Sequence, residues 1–141
     1  AWSDFLIDAR RYQEVVELLV AWESSDSLLL RLAEAEAALQ LPAAARHVQV
    51  LTDRYAAARA RGDTTHRAEE ARFELRLRKD PVTAVALARA NYAVQREPRD
   101  ARVLLEAALA AKDPASAQSA RDWLRSSGFE DARMRQLGGM P

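Results

Sequence analysis

The chain has 141 residues, with 21 basic and 21 acidic side chains, a formal net charge of zero and no cysteine. The strongly cationic field that is typical of nucleic-acid-binding proteins is therefore absent, and we expect no nucleic-acid partner. Without cysteine, the chain has no disulfide, no thiolate metal site and no cysteine nucleophile.

Apolar residues recur at steps of three and four along most of the chain, and this spacing predicts amphipathic α-helices. In chain order, the predicted helical segments are 11–22, 27–39, 42–60, 65–78, 81–96, 100–111, 114–126 and a short closing helix at 130–137. Segment 81–96 carries two apolar stripes, so that helix should be covered on two sides. No stretch of useful length alternates at period two, so strands are not expected.

Capping signals flank several of these segments. Asp80-Pro81 and Asp113-Pro114 each place a carboxylate where it accepts from free backbone N–H groups, with proline at the first helical position. Other expected caps are the start residues Asp26 and Thr64 or Thr65, and the left-handed end residues Gly62 and Gly128.

Two short motifs recur at nearly the same interval. Asp80-Pro81 returns 33 residues later as Asp113-Pro114, and Asp100-Ala101-Arg102 returns 31 residues later at Asp131. Both intervals are close to the length of a helix-turn-helix repeat of about 34 residues. The predicted grouping is an incomplete pair at 1–23, the pairs 26–61, 64–96 and 99–127, and the closing helix at 130–137. Together they make one domain over 1–137, with a disordered tail at 138–141.

The turn Lys79–Ala84 resembles the turn into the second helix of a tetratricopeptide repeat, with Ala84 at the small position. Lys112–Ala117 repeats this match, and Pro98 stands where the family has the proline that follows a second helix. The resemblance implies an all-α fold, an α-solenoid of about seven or eight helices in antiparallel pairs that forms a right-handed superhelix. It also implies the C-terminal part of a longer bacterial protein, and the abundance of arginine and alanine favours a GC-rich bacterial source.

The resemblance further implies a scaffold module that holds a peptide or a helix of a partner protein on its concave face. In the family, this face is lined by the first helix of each pair. Arg76 and Arg102 are expected to anchor carboxylates, because guanidinium groups bind them bidentately, and Phe73 is expected to supply the apolar contact. The residues expected at the partner site are His66, Glu69, Phe73, Arg76, Asn91, Arg99, Arg102 and Glu106.

The sequence leaves two other functions open. Residues 1–40 carry three arginines against eight carboxylates, a net charge of −5. This acidic end of one copy would suit a basic surface of another, which would make the chain a self-association module and a homo-oligomer. The second alternative is a regulatory helical domain of a transcription factor or of a multidomain enzyme.

Catalytic and metal-binding patterns are weak in this sequence. His66 with Glu69 or Glu70 would place two ligands on one helical face, but the only other histidine, His47, lies in another predicted helix. A catalytic zinc site usually takes three protein ligands. The chain also has no nucleophile elbow and no Walker-type loop. We therefore expect no enzyme activity, no metal and no cofactor.

No apolar run approaches the roughly 18–20 residues that a membrane-spanning helix needs. The leucine run Leu28–Leu30, for example, ends at Arg31. The chain begins with alanine rather than methionine, so we interpret it as a fragment or a processed product. The compartment is left open between the bacterial cytoplasm and the periplasm.

Overall fold

The computed structural model of the protein describes residues 2–139, and helices are the only regular secondary structure in that range. The helices are α1 (Trp2–Asp8), α2 (Tyr12–Leu19), α3 (Asp26–Ala38), α4 (Ala43–Ala60), α5 (Arg67–Arg76), α6 (Pro81–Tyr92), α7 (Pro98–Ala110), α8 (Gln118–Ser127) and α9 (Ala132–Gly138). The all-helical prediction is confirmed. The described residues contain nine helices rather than seven or eight, because α1 has only seven residues and shows too little of the apolar period to be recognised.

The helices form two compact units, one up to Glu69 and one from Glu70 onward, so the boundary falls inside α5. The sequence-based prediction of one domain over 1–137 stays a prediction. In the first unit, α2 contacts α1 and α3, α3 contacts α4, and α1 also contacts α3. The large buried side chains of this unit are Leu6, Val15, Leu29, Leu30, Leu32, Leu51 and Tyr55.

In the second unit, α7 contacts α6, α8 and α9, and α8 also contacts α9. The core of this unit is rich in alanine, and its buried alanines are Ala71, Ala84, Ala88, Ala101, Ala107, Ala108, Ala117 and Ala120. Small side chains at these positions let neighbouring helices approach closely. Larger side chains such as Leu104, Leu105 and Met134 fill the remaining interior.

Four helices end with the same backbone geometry. One residue takes a left-handed conformation, and the N–H of the next residue donates to the carbonyl five residues before it at 2.8–3.0 Å. These bonds satisfy carbonyl groups that the helix leaves without a partner. The left-handed residues that follow α1, α3, α4 and α7 are Arg10, Gln40, Gly62 and Lys112. Only Gly62 was predicted to do so, because the other three carry a Cβ that disfavours this conformation.

The start of α6 and the end of α8 follow the sequence signals. Asp80 accepts from the Thr83 N–H at 3.0 Å and from the Thr83 hydroxyl at 2.7 Å, and Pro81 is the first helical residue. Gly128 ends α8 with a φ of 65°. Both predicted caps are therefore confirmed.

The predicted start of α8 at Pro114 is wrong by four residues. Asp113 accepts from the Ser116 N–H at 3.1 Å, as a helix cap would. This bond closes only a turn, because the Gln118 N–H donates to Ala115 three residues back and α8 begins at Gln118. A carboxylate at this spacing stabilises a turn as readily as a helix start.

Two other expected start caps have different roles. Ser25 is the N-cap of α3, and Asp26 is its first residue, with a carboxylate that accepts from Arg54 Nη1 at 2.6 Å. Thr65 donates its N–H and its hydroxyl to Asp63 at 2.9 and 2.7 Å, in the turn that precedes α5. Both predictions failed because a nearby side chain offered a competing partner.

The predicted closing helix is present as α9. Gly138, which was assigned to the disordered tail, is its last residue, and Gly139 follows with a φ of 67°. The rest of the predicted tail, Met140 and Pro141, lies outside the described residues. Among the described helices, none combines the length and the apolar character that a bilayer crossing needs.

Candidate functional site

Three of the residues predicted to bind a partner form one ion cluster between α5 and α7. The Glu106 carboxylate accepts from Arg76 Nη2 at 2.7 Å and from Arg102 Nε at 2.9 Å. Arg102 lies one turn before Glu106 on α7, whereas Arg76 is the last residue of α5, so the Arg76–Glu106 pair joins the two helices. Both arginines that were expected to anchor a partner's carboxylate are thus bonded to a carboxylate of this chain.

The cluster is only partly accessible, since the side chains of Arg76, Arg102 and Glu106 are 21%, 19% and 11% exposed. Burial alone would raise the pKa of Glu106. The positive charges and hydrogen bonds of Arg76 and Arg102 outweigh that effect and hold this pKa below the ordinary value of 4.5. Glu106 is therefore ionised at neutral pH, and these three side chains together carry one net positive charge.

Glu69 and His66 belong to separate contacts in the first unit. Glu69 accepts from Arg31, whose Nε also donates to Asp4 at 3.2 Å. Arg31 is buried, so these bonds connect α1, α3 and the first turn of α5 at low exposure. His66 lies just before α5, with Nε2 3.4 Å from Asp63 Oδ2 and 44% of its side chain exposed.

Phe73 and Asn91 are not available as the sequence predicted. Phe73 is 2% exposed, so the prediction that its ring contacts a partner is wrong, because the protein itself encloses the ring. Asn91 is also buried, and its Nδ2 donates to Asp100 Oδ1 at 2.9 Å. The other Asp100 oxygen accepts from the Glu97 N–H, so Asn91 supports the start of α7 rather than a peptide backbone.

Arg99 is the most accessible of the predicted site residues, with 65% of its side chain exposed. It lies in the first turn of α7, and its Nε is 3.0 Å from Glu97 Oε2. An exposed pair of this kind contributes little to stability, so Arg99 is free to exchange partners at small cost.

The sequence did not predict a cavity of about 550 Å³ in the second unit, between α6 and the segment that leads into α8. Arg89, Tyr92 and Arg96 line it from α6, and their spacing of three and four residues places them on one helical face. Leu104 of α7 adds apolar surface to the wall of the cavity. The polar residues on the other side are Asp113, Ser116, Gln118, Ser119 and Asp122.

Tyr92 is 3% exposed, and its hydroxyl has no hydrogen-bond partner among the described residues. Burial raises the pKa of its phenol, Arg96 opposes this rise, and the carboxylate of Asp100 adds to it. The Arg96 guanidinium lies 5.7 Å from the centre of the Tyr92 ring, within reach of a cation–π contact. Tyr92 is therefore protonated at neutral pH and has a hydrogen to donate.

The acidic and the basic side chains that line this cavity differ in the hydrogen bonds they make. Asp113 accepts from both the N–H and the hydroxyl of Ser116, and Asp122 accepts from Gln118 Nε2 at 2.7 Å and from Arg125 at 3.0 Å. Arg89, by contrast, makes no hydrogen bond to another described residue. No local sequence pattern indicates the cavity, because its walls come from segments that are about twenty residues apart.

A second polar cluster that the sequence did not predict surrounds His47, which is 2% exposed. His47 Nδ1 lies 2.6 Å from Glu36 Oε2, and Arg46 Nη2 lies 2.7 Å from His47 Nε2. Nε2 also lies 3.2 Å from Glu23 Oε1, so this nitrogen faces both a guanidinium donor and a carboxylate acceptor, while Nδ1 is bonded to Glu36. Glu23 also forms two bonds of 3.0 Å with Arg46. Within residues 2–139, no three histidine or carboxylate side chains are grouped so as to hold a metal ion.

The chain matches no protein-family model, no curated protein and no solved structure. The resemblance of Lys79–Ala84 and Lys112–Ala117 to a tetratricopeptide turn therefore stays a prediction. Any function has to be inferred from the residues of this chain and the contacts they make.

Proposed function

We propose that the chain is a protein-binding module built from tetratricopeptide-like antiparallel helix pairs, with the partner held on its odd-numbered helices. One observation carries this proposal: alternate helices touch each other, α1 with α3 in the first unit and α7 with α9 in the second. In a stack of helix pairs, the first helices of successive pairs lie side by side and line one face. The odd-numbered helices would be those first helices.

Ion pairs between odd-numbered helices support the same arrangement within each unit. Arg31 of α3 donates to Asp4 of α1 at 3.2 Å, and Arg76 of α5 donates to Glu106 of α7 at 2.7 Å. Side chains of alternate helices reach each other in this way only where the helices are neighbours on one surface.

The expected partner is a peptide or a helix with acidic side chains. The cluster contains the guanidinium groups of Arg76 and Arg102 with the Glu106 carboxylate, and part of its surface stays accessible. Because Glu106 already fixes both guanidinium groups, an incoming carboxylate would meet side chains that have little rotamer freedom left to lose. Arg99, in the first turn of the same helix, is paired with Glu97 at the surface and would exchange this partner for a carboxylate of the ligand at small cost.

The test is selection of binding peptides from a random display library against the full chain, followed by amide chemical-shift mapping of the bound protein. The proposal expects acidic peptides to be enriched and the largest shifts to fall in α5 and α7. Arg102→Gln should weaken the selected peptide about tenfold, as expected for a lost charge-assisted hydrogen bond.

Arg125→Gln is the matched control, because Arg125 is an exposed arginine of α8 that bonds only Asp122 within the described part of the chain. The Arg125→Gln variant should bind the peptide with the same affinity as the unchanged protein. The proposal fails if no peptide is enriched, if the shifts fall on even-numbered helices, or if both variants lose affinity equally.

Self-association is a second candidate, favoured by exposed apolar side chains near the start of the chain. Trp2 and Phe5 stack at 5.1 Å between ring centres, and both are more than half exposed. Leu18, Val20 and Trp22 are also exposed in and after α2. Exposed aromatic and aliphatic residues in such numbers are typical of interaction surfaces.

Analytical ultracentrifugation in low and high salt separates this candidate from the first. An apolar dimer should persist in high salt, and Trp22→Ser should dissociate it, whereas Val94→Ser should not, because exposed Val94 lies in the other unit. A contact between acidic and basic surfaces should weaken as salt rises. A monomer in both conditions would reject self-association and leave the first candidate.

A further inference from the structure

We propose that His47 is the centre of a proton-dependent switch, in which Nε2 accepts from Arg46 while the imidazole is neutral and donates to Glu23 once the imidazole is protonated. The switch acts on the connection between α2 and α3, which carries the exposed ring of Trp22. It does not depend on the partner face proposed above. Three features lead to this inference: a fixed Nδ1, two competing partners at Nε2, and the exposure of those two partners.

One side of the imidazole is fixed. The side chains of His47 and Glu36 are 2% and 5% exposed, and Nδ1 lies 2.6 Å from Glu36 Oε2. An ionised carboxylate has no hydrogen to donate, so the hydrogen of this bond is on Nδ1. A neutral imidazole carries only one N–H, and a second proton therefore binds at Nε2.

Nε2 faces two groups whose bonds to it exclude each other. Arg46 Nη2 lies 2.7 Å away and can only donate, whereas Glu23 Oε1 lies 3.2 Å away and can only accept. An unprotonated Nε2 is therefore an acceptor for Arg46. A protonated Nε2 has nothing to accept with, so the guanidinium has to leave this contact and the new hydrogen is donated to Glu23.

Arg46 is the group that is able to move. Its side chain is 59% exposed, and its two bonds of 3.0 Å go to Glu23, whose side chain is 41% exposed. Bonds between exposed charges contribute little to stability, so water replaces them at small cost. His47 has no comparable freedom, because the protein encloses its ring and Glu36 holds Nδ1.

The charged groups that face the imidazole come from three segments. Glu36 faces it from α3, Glu23 from the connection between α2 and α3, and Arg46 from α4 itself. Two carboxylates and one guanidinium leave one negative charge beside a neutral imidazole, and a proton on His47 cancels it. Hydrogen bonds from Arg46 lower the pKa of Glu23 to about 2, so Glu23 stays an acceptor over about pH 5–8, where histidine side chains usually change charge.

Proton uptake therefore changes which side chain of α4 holds the connection between α2 and α3. In the neutral form, the Glu23 carboxylate is bonded to the exposed Arg46. In the protonated form, it is bonded to the buried His47, and the Arg46 guanidinium is released to solvent. Arg54 Nη1 donates to the Glu23 carbonyl at 3.1 Å, so the backbone stays attached to α4 during this exchange. Trp22 directly precedes Glu23, so the exchange takes place beside an exposed residue of the self-association candidate.

The test is a pH titration of the isotope-labelled full chain, in which nuclear magnetic resonance follows the imidazole nitrogens and the arginine Nε atoms. The proposal expects neutral His47 to carry its hydrogen on Nδ1. It also expects Arg46 Nε and the Glu23 amide to shift with the same midpoint as His47 Nε2. His66, with 44% of its side chain exposed, is the internal reference, because its protonation should leave Arg46 unchanged.

Two variants at exposed side chains should move the His47 midpoint in opposite directions. Arg46→Met removes the donor to the neutral form, so the midpoint should rise by about half a pH unit or more. Glu23→Gln removes the charged acceptor of the protonated form, so the midpoint should fall by a similar amount. Arg11→Gln is the matched control, because Arg11 is an exposed arginine of the same unit that also makes two bonds to a glutamate, Glu14. It should leave the midpoint unchanged.

The switch is rejected if neutral His47 carries its hydrogen on Nε2, if Arg46 Nε does not follow the His47 titration, or if the chain unfolds in acid before His47 takes up a proton. It is also rejected if Arg46→Met and Glu23→Gln move the midpoint in the same direction or no further than Arg11→Gln does. Circular dichroism at each pH shows whether the chain and its variants are folded. If one variant were unfolded, the other variant and the position of the hydrogen in the unchanged chain would still decide the outcome.

Discussion

At the scale of single residues, two neighbouring residues of α6 show that buried polar groups differ in whether they are hydrogen-bonded. Asn91 and Tyr92 are both buried, but Asn91 donates to Asp100 at 2.9 Å while the hydroxyl of Tyr92 has no partner among the described residues. The bond from Asn91 stabilises the start of α7. The Tyr92 hydroxyl lowers stability, because a buried hydroxyl gives up its bonds to water and gains none in exchange.

Tyr92→Phe should therefore raise the free energy of unfolding by about 1 kcal/mol, because it removes an unsatisfied hydroxyl and little else. Urea denaturation measures this. Tyr12→Phe is the control, at a half-buried tyrosine of α2 where a change within about 0.5 kcal/mol is expected. A loss of stability in Tyr92→Phe would mean that the hydroxyl is bonded in the free protein.

At the scale of helices, contact depends on small side chains in the second unit and on a polar pair in the first. Ala84 and Ala88 of α6 are buried with Ala101 and Ala108 of α7, where the two helices touch. In the first unit, His47 of α4 bonds Glu36 of α3 at 2.6 Å, with both side chains almost fully buried.

Ala84→Leu should lower the free energy of unfolding by about 1–3 kcal/mol, because three added carbons have no space in a packed contact. Ala84 has no exposed surface, whereas Ala90 on the same helix is exposed. Ala90→Leu should therefore change stability by no more than about 0.5 kcal/mol. Thermal and urea denaturation compare the two variants, and equal effects would show that α6 is not closely packed at Ala84.

His47→Leu should destabilise the protein by about 2–4 kcal/mol, because it leaves the buried Glu36 carboxylate without its histidine donor. Replacing Glu36 by leucine as well should recover most of the loss. A double-mutant cycle from urea denaturation measures the coupling between the two positions. Additive losses in the double variant would refute the bond as the cause.

At the scale of the whole molecule, several carboxylates are ionised more readily than in a free peptide. Hydrogen bonds from Arg46, with a smaller contribution from His47, outweigh desolvation and lower the pKa of Glu23 from 4.5 to about 2. Hydrogen bonds from Thr83 and Ser116 lower the pKa of Asp80 and of Asp113. These groups bind protons more weakly in the folded chain than in the unfolded one, so acid favours unfolding.

Between neutral pH and about 4.5 these carboxylates should leave the urea midpoint unchanged, and it should fall as the pH is lowered from 4.5 towards about 2, the range set by Glu23. Glu23→Gln should reduce this fall. Glu130→Gln, at an exposed glutamate without an ion pair in the described part of the chain, should leave the profile unchanged. An identical acid profile in Glu23→Gln would show that this carboxylate does not contribute.

Sequence patterns alone were enough to predict that the chain is helical, roughly where each helix lies, and three of its caps, at Gly62, Asp80 and Gly128. These features depend on apolar period and on hydrogen bonds between residues close in sequence, which can be read locally. The stacking of antiparallel pairs and the partner-binding role stay proposals.

Which of the predicted site residues are accessible depends on how the helices pack. Packing buries Phe73 and Asn91, pairs Arg76 with Glu106 across 30 residues, and places α6 beside the start of α8 around a cavity. A side chain's burial and its distant partners depend on how helices pack, and many side-chain pairings are compatible with the same apolar period. Local patterns therefore located the helices, and packing decided where binding chemistry is exposed.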